Sequence, residues 1–211
     1  MLAAMPVMAA YTGHVYVDKN KNGVFDQSEK PLAGIKVSDG LNVVETAADG
    51  SFTLPGHERE RFIFITTPSG YKTFNRHYHK IEKKQSGYDF GLIPYSGRIR
   101  KDGSHRYIHI TDTEIFNTEN HADWVNNVRD YARNEQAAFI IHTGDICYEK
   151  GLKAHIKLMN TENMDCPVFY CIGNHDLVKG KYGEELFESI YGPVYYSFDA
   201  GNVHYVVTPM P

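Results

Sequence analysis

Three apolar runs that each end in a polar cluster constrain the fold of this chain more than any other feature. Arg106–Thr111 leads into Asp112-Thr113-Glu114, Ala138–Thr143 into Gly144-Asp145, and Pro167–Ile172 into Gly173-Asn174-His175-Asp176. Between the first two runs, Glu119 to Gln136 carries Trp124, Val128 and Tyr131 at helical spacing, which predicts an amphipathic helix. A second helix is expected over roughly Gly151 to Asn163. Strand, helix, strand, helix, strand is the pattern of a parallel sheet with right-handed crossovers. The strands read as near-continuously apolar, as they do when both faces of such a sheet are covered. Val194–Asp199, then Gly201-Asn202, then Val203–Thr208 reads as an antiparallel hairpin.

The first half follows a different rule. Val15–Val17, Ile35–Val37, Val43-Val44, Ser51–Leu54 and Phe62–Thr66 are short runs at the spacing of a small β-sandwich. Ala48-Asp49-Gly50 and Pro68-Ser69-Gly70-Tyr71 read as turns between them. The expected organisation is therefore a short leader at 1–10, an all-β domain at 11–95, a linker at 96–104 and an α/β domain at 105–211.

Composition narrows the classes of function. Apolar residues make up 42% of 211, so the chain can bury ordinary cores. A net charge of −4 gives no nucleic-acid-binding footprint, and no apolar run is long enough for a transmembrane segment. Three cysteines, Cys147, Cys166 and Cys171, are too few for a disulfide scaffold and are expected as buried thiols within strands. Nothing in the sequence speaks to oligomeric state. Residues 1–10 are small and apolar, with Val7-Met8-Ala9 resembling a signal-peptidase site, so export to the periplasm or cell surface is expected.

Open α/β sheets place their chemistry outside the carboxyl ends of the strands, where all three polar clusters fall. A lone strand-end Asp often caps the next helix, and a Gly-Asp pair is common. Together, however, Asp112, Asp145 and Asn174 offer hard oxygen donors on neighbouring loops, and a carboxylate can bridge two cations about 3.5–4 Å apart. Beside such a pair His175 could protonate a leaving alkoxide, with Asp176 orienting it. Two cations alone suit phosphate and amide hydrolysis equally. A nucleotide-binding domain is disfavoured, because Asp-Thr-Glu stands where a glycine-rich phosphate loop would follow the first strand.

The runs Ile108–Glu114, His142–Tyr148 and Cys171–Asp176 resemble the calcineurin-like metallophosphoesterases over about residues 105–211. The two-domain layout is similar to secreted bacterial members with an N-terminal β module. The resemblance implies an αββα sandwich, here its N-terminal half only, and hydrolysis of a phosphate mono- or diester of unknown identity by two divalent metal ions. Carried over by position, Asp112 would bind the first metal, Asp145 would bridge both, Asn174 would bind the second, and His175 would be the general acid supported by Asp176. Glu114 stands where the family usually has His. An oxygen ligand there leans toward Mg, Mn or Fe over Zn. The family's downstream His and Gly-His-x-His have no counterpart before Pro211, and His105, His109, His155 and His204 take no role by position. The chain is therefore expected to be a fragment of the enzyme, weakly active or inactive alone.

One further motif lies in the β half. Asp18-Lys-Asn20-Lys-Asn22-Gly23-Val24-Phe-Asp26-Gln-Ser-Glu29 satisfies the spacing of a calcium-binding loop, with Asp18, Asn20, Asn22, Asp26 and Glu29 offering side-chain oxygens and Val24 a carbonyl. The flanking residues read as strands, so a structural calcium is expected rather than an EF-hand. Around it, Gly13 to Val37 resembles transthyretin-like and B-repeat-like surface modules, which implies a spacer or docking role. The alternative for the whole chain is thus a calcium-stabilised cell-surface binding protein whose phosphoesterase domain is degenerate.

Overall fold

The computed structural model describes residues 10–74, 76–85, 87–95, 98–116 and 119–209. The leader with its cleavage-site pattern at Val7–Ala9 falls outside them. The chain is mixed α/β, with several sheets and few helices. Its contacts divide it into two compact units, one reaching to Thr67 and resuming over Thr73–Ile93, the other formed by Pro68–Lys72 and the chain from Pro94 on.

Every described element of the first unit is a strand. In chain order these are β1 (Ala10–Val17), β2 (Lys30–Pro31), β3 (Lys36–Ser38), β4 (Val43–Glu45), β5 (Ser51–Pro55) and β6 (Phe62–Ile65). After β7 (Tyr71–Thr73), where the chain passes between the units, come β8 (Tyr78–Lys80) and β9 (Phe90–Pro94). β1 is antiparallel to β5 and β2 and parallel to β9, with Val15 opposite Phe90. The other sheet runs β4-β3-β6-β8, antiparallel throughout. Val15, Val37, Leu54, Ile63, Ile65 and Leu92 are fully buried between these strands. Both expected turns form, Gly50 N–H donating to Ala47 O (2.9 Å) and Tyr71 N–H to Pro68 O (3.2 Å). β8 and β9 were not expected, because Tyr78–Lys80 is short and polar and Phe90–Pro94 ends in a proline.

The second unit holds β10 (Arg106–Ile110), α1 (His121–Asn134), β11 (Ala137–His142), α2 (Tyr148–Leu158), β12 (Val168–Tyr170), α3 (Glu185–Tyr191), β13 (Tyr196–Ala200) and β14 (Val203–Val207). β10, β11 and β12 form the expected parallel sheet, with Ile110 opposite His142 and His142 opposite Tyr170. Residues alternate between its two faces. Ile108, Ile140, Val168 and Tyr170 join a core with residues of the helices, among them Val125, Ala132, Leu152, Phe187 and Tyr191. Tyr107, Phe139 and Phe169 instead meet Phe198 and Tyr205 of the β13–β14 hairpin, whose rings stack in series (Phe169 to Phe198 3.5 Å, Phe198 to Tyr205 4.9 Å). The far edge of β12 is closed by a side chain. Tyr196 Oη accepts from Tyr170 N–H and donates to Tyr170 O, both at 2.9 Å.

Three expectations need correction here. β10 is largely exposed, not covered on both faces: Ile108 and Ile110 pack against the core, while Arg106, Tyr107 and His109 are exposed. α2 starts three residues before Gly151 and stops at Leu158 rather than Asn163. The Asn163 amide donates to the carbonyls of Lys157 and Leu158, the Asn160 amide to that of Ile156, and so side chains replace the next helical turn. The cysteines flank elements rather than lying within strands, Cys147 and Cys166 buried and Cys171 half-buried. α3, also unforeseen, is a short helix anchored by buried Phe187 and Tyr191.

Candidate metal and catalytic site

The loops that leave β10 and β11 stay paired beyond the strands. Asp112 N–H donates to Gly144 O (3.1 Å), Glu114 N–H to Asp145 O (3.0 Å) and Ile115 N–H to Ile146 O (2.8 Å). The loop after β12 joins them through Asp145, whose Oδ1 accepts the backbone N–H of His175 at 3.0 Å. Such closeness needs bare backbone. A Cβ on Gly144 would stand 2.5 Å from Gly173 N, and one on Gly173 only 2.1 Å from Asp145 Oδ1.

The same residues carry unusual dihedrals. Asp112, Glu114, Asp145, Cys147 and Tyr148 all have φ between +42° and +88°, a region costly for side chains other than glycine. Clustered outliers of this kind mark sites where packing over-determines the backbone, and they accompany function more often than they accompany plain structure.

Asp176 is 0% exposed and holds two loops together. Its Oδ1 accepts from Cys147 N–H (2.8 Å) and its Oδ2 from Gly173 N–H (3.0 Å). Burial pushes its carboxyl up from the usual range, and the Asp145 carboxylate adds to the push, against the pull of the two N–H bonds. The expected partnership with the His175 imidazole is not what these bonds serve: Asp176 staples the turn after β11 to the turn after β12. The His175 Nδ1 faces Glu114 Oε1 instead, at 3.3 Å, close enough for a charge pair though not aligned as a hydrogen bond.

His142 was read only as part of a motif, yet it organises the site from below. The ring is fully buried, its Nδ1 accepting from Gly144 N–H (3.2 Å) and its Nε2 lying 3.0 Å from Thr113 Oγ1. That assignment puts the imidazole proton on Nε2, where it donates to Thr113. Burial pushes this imidazole down to about 4, so it is neutral when it ties the two loops. The signal available in sequence was a histidine closing an otherwise apolar strand, one residue before Thr143-Gly144-Asp145.

The local field is negative. Burial first, and then Glu114, Asp176 and Asp145, push the Cys147 thiol up. Hard oxygens in a negative field fit Mg²⁺, Mn²⁺ or Fe²⁺ as a donor set. One oxygen of each aspartate is bound by the protein, Asp112 Oδ2 accepting from Thr111 Oγ1 (2.5 Å) and Asp145 Oδ1 from His175 N–H, while Glu114 Oε1 faces the His175 ring. Asn174 opens the short 3₁₀ turn Asn174–Asp176 with its side chain exposed. Among the described residues, no three His, Cys, Asp or Glu side chains converge closely enough to hold a metal ion. Asp112, Glu114, Asp145 and His175 are thus brought together by backbone, each carboxylate with one oxygen turned to a protein neighbour.

The Asp18–Glu29 loop closes on itself. Asp18 is 1% exposed, its oxygens accepting from Asn22 N–H (3.2 Å) and Gly23 N–H (2.9 Å). Glu29 accepts from Lys19 N–H (2.9 Å) and Asp26 N–H (3.2 Å), and the amides of Asn20 and Asn22 both donate to Asp26. Val24 is exposed, its N–H bonded to Asn22 Oδ1 (2.8 Å).

Residues 105–207 match the family model described as calcineurin-like phosphoesterase, and residues 19–94 match the model described as the N terminal of calcineurin-like phosphoesterase. No curated protein matches the chain. Among the described residues, no helix is long and apolar enough to cross a membrane.

Proposed function

The chain belongs to the calcineurin-like phosphoesterases, a family of hydrolases that typically bind two divalent metals, and from that premise we propose that it is a metal-dependent phosphoesterase acting on phosphate mono- or diesters. The observation that carries the proposal is the junction of three strand-end loops, Glu114 N–H on Asp145 O and His175 N–H on Asp145 Oδ1, on a backbone held at positive φ. Asp112, Glu114, Asp145 and Asn174 would hold two cations drawn from Mn, Fe, Mg or Zn. Divalent cations, when bound, neutralise charge on the phosphoryl oxygens and lower the pKa of an attacking water. The chain's own contribution is positional. Asp145 fixes the backbone of His175, and the half-exposed imidazole would hand a proton to the leaving oxygen. Asp176 and His142 keep the loops from parting.

The finer expectations extend this proposal. Residues 105–211 would take part in an αββα sandwich. The first unit would be a β-sandwich stabilised by calcium at Asp18, Asn20, Asn22, Val24, Asp26 and Glu29. The small apolar residues at 1–10 support export to the periplasm or cell surface.

Hydrolysis of p-nitrophenyl phosphate and bis(p-nitrophenyl) phosphate, measured with each metal on the full-length protein, tests the reading. Turnover that needs metal and falls at least about a hundredfold in both Asp145→Ala and His175→Ala supports it. Turnover no greater than in these variants, with every metal, overturns it. Glu114, standing where the family usually has His, favours one second reading, a calcium-stabilised surface binding protein with a degenerate phosphoesterase domain. It predicts that second result, together with calcium-dependent stability.

A further inference from the structure

Each of the three strand-end loops places a large apolar side chain in solvent just past its polar motif. Phe116 follows Glu114 by two residues and is 57% exposed; Tyr148 follows Asp145 by three and is 48% exposed; Leu177 follows His175 by two and is 48% exposed. Single exposed apolar residues are ordinary on any surface. These recur within three residues of a candidate site residue on every strand-end segment that builds the site. Ile115 and Ile146, between the polar motifs and the exposed rings, are buried. Each of those loops therefore already has an apolar anchor in the core and turns a second apolar residue outward.

The aromatic pair also has a defined arrangement. The rings of Phe116 and Tyr148 lie 5.3 Å apart and tilted by 54°. Tyr148 also runs parallel to the His175 imidazole, 6.4 Å away with 6° between the planes. Tyr148 is held at φ +43°, a backbone conformation an aromatic residue seldom adopts, so the fold keeps this ring beside His175 at a conformational cost. A tilted pair of rings next to an imidazole is a surface for a flat apolar group. It offers one hydroxyl and no charge, so it lacks the hydrogen-bonding needed to select a small polyol.

Resting on the phosphoester reading above, we propose that Phe116 and Tyr148, with Leu177 on the third loop, bind the organic part of the substrate. The protein then takes phosphoesters that carry a planar aromatic group in preference to esters of small polar alcohols.

The test separates this inference from the reading beneath it by holding the phosphoryl head constant. Affinities of methylphosphonate and phenylphosphonate, which differ only in the organic group, are measured by calorimetry with Mn²⁺ on the full-length protein used for the hydrolysis test. Phenylphosphonate is expected to bind roughly tenfold tighter, the scale of one aromatic contact with the area it buries. Phe116→Ala and Tyr148→Ala should each shrink that ratio several-fold and together bring it near one, while Tyr148→Phe keeps it. Both positions are solvent-exposed, and unchanged circular dichroism and melting confirm that the variants fold. Equal affinities in the wild type, or a ratio that survives loss of both rings, overturn the aromatic preference while leaving the phosphoester reading intact. Failure of both phosphonates to bind, with Mn²⁺, Mg²⁺, Zn²⁺ or Fe²⁺, overturns the phosphoester reading and this inference with it.

Discussion

The Asp18–Glu29 loop and the strand-end loops of the second unit both gather oxygen donors, but through bonds of very different reach. In the first, every carboxylate bond closes within the loop itself, the longest from Lys19 to Glu29 across ten residues. In the second, Asp145 accepts from His175 across 30 residues and Asp176 from Cys147 across 29. The local loop needs only short polar side chains able to mimic turns, and Asn, Asp and Gly supply them. The other exists only after β11 and β12 have paired, so its geometry is a property of the sheet. The two should therefore fail differently when perturbed.

The sharpest way to break the contrast is a single methyl group. In Gly173→Ala the new Cβ would meet Asp145 at 2.1 Å from Oδ1 and 2.2 Å from its backbone nitrogen. The Asp145 backbone cannot retreat without losing the bond from Glu114 N–H to its carbonyl. A destabilisation of about 3 kcal/mol is expected, confined to the second unit and accompanied by loss of metal-dependent turnover. Wild-type melting in this variant would show that the loops are not locked together.

Acid should also act on the second unit. Burial pushes His142 down to about 4 and His155 well below its usual range, the latter helped by its neighbours His142 and His121. Each is neutral when folded but takes up a proton near pH 6.5 when unfolded. Between those values the unfolded chain binds more protons, so the stability these rings permit is complete above pH 6.5 and drains away as the pH falls toward 4. For His142 alone the loss by pH 5 is about 2 kcal/mol, readable in urea unfolding at pH 7 and pH 5. A flat profile across that interval would mean that the rings are hydrated in the folded protein.

The same contrast explains what the sequence made legible. The order of β10, α1, β11, α2 and β12 followed from apolar runs and helical spacing, and the turn at Gly50 from an Asp-Gly pair; both are local signals. The residues of the site could be named because each closes a strand, and strand ends on one edge of a sheet must meet. What each one touches was not legible. The pairing of Asp176 with Cys147 and Gly173 depends on how two turns stack, and Glu114 meets His175 only because their loops share Asp145. His142 went unread as an organiser because a buried imidazole at a strand end has the same sequence signature as an exposed one. β9 escaped because its partner β1 lies 75 residues away in the register, Val15 opposite Phe90, with no periodicity to announce it.

The smallest expected effect probes the local loop. Asp18→Ala removes the two oxygens that accept from Asn22 and Gly23, but the freed N–H groups belong to exposed residues and can turn to water. The expected cost is therefore only about 1 kcal/mol, the net worth of a hydrogen-bonded carboxylate rather than the price of stranded buried donors. It should lower an unfolding transition of the first unit and leave that of the second in place. Calcium sharpens the measurement. If the loop binds the ion, wild type gains stability as RT ln(1 + [Ca²⁺]/Kd) while the variant does not, so the gap between them widens as calcium is added. A gap that stays constant from chelator to millimolar calcium would make the loop a self-sufficient turn, its carboxylates fully occupied by their own backbone.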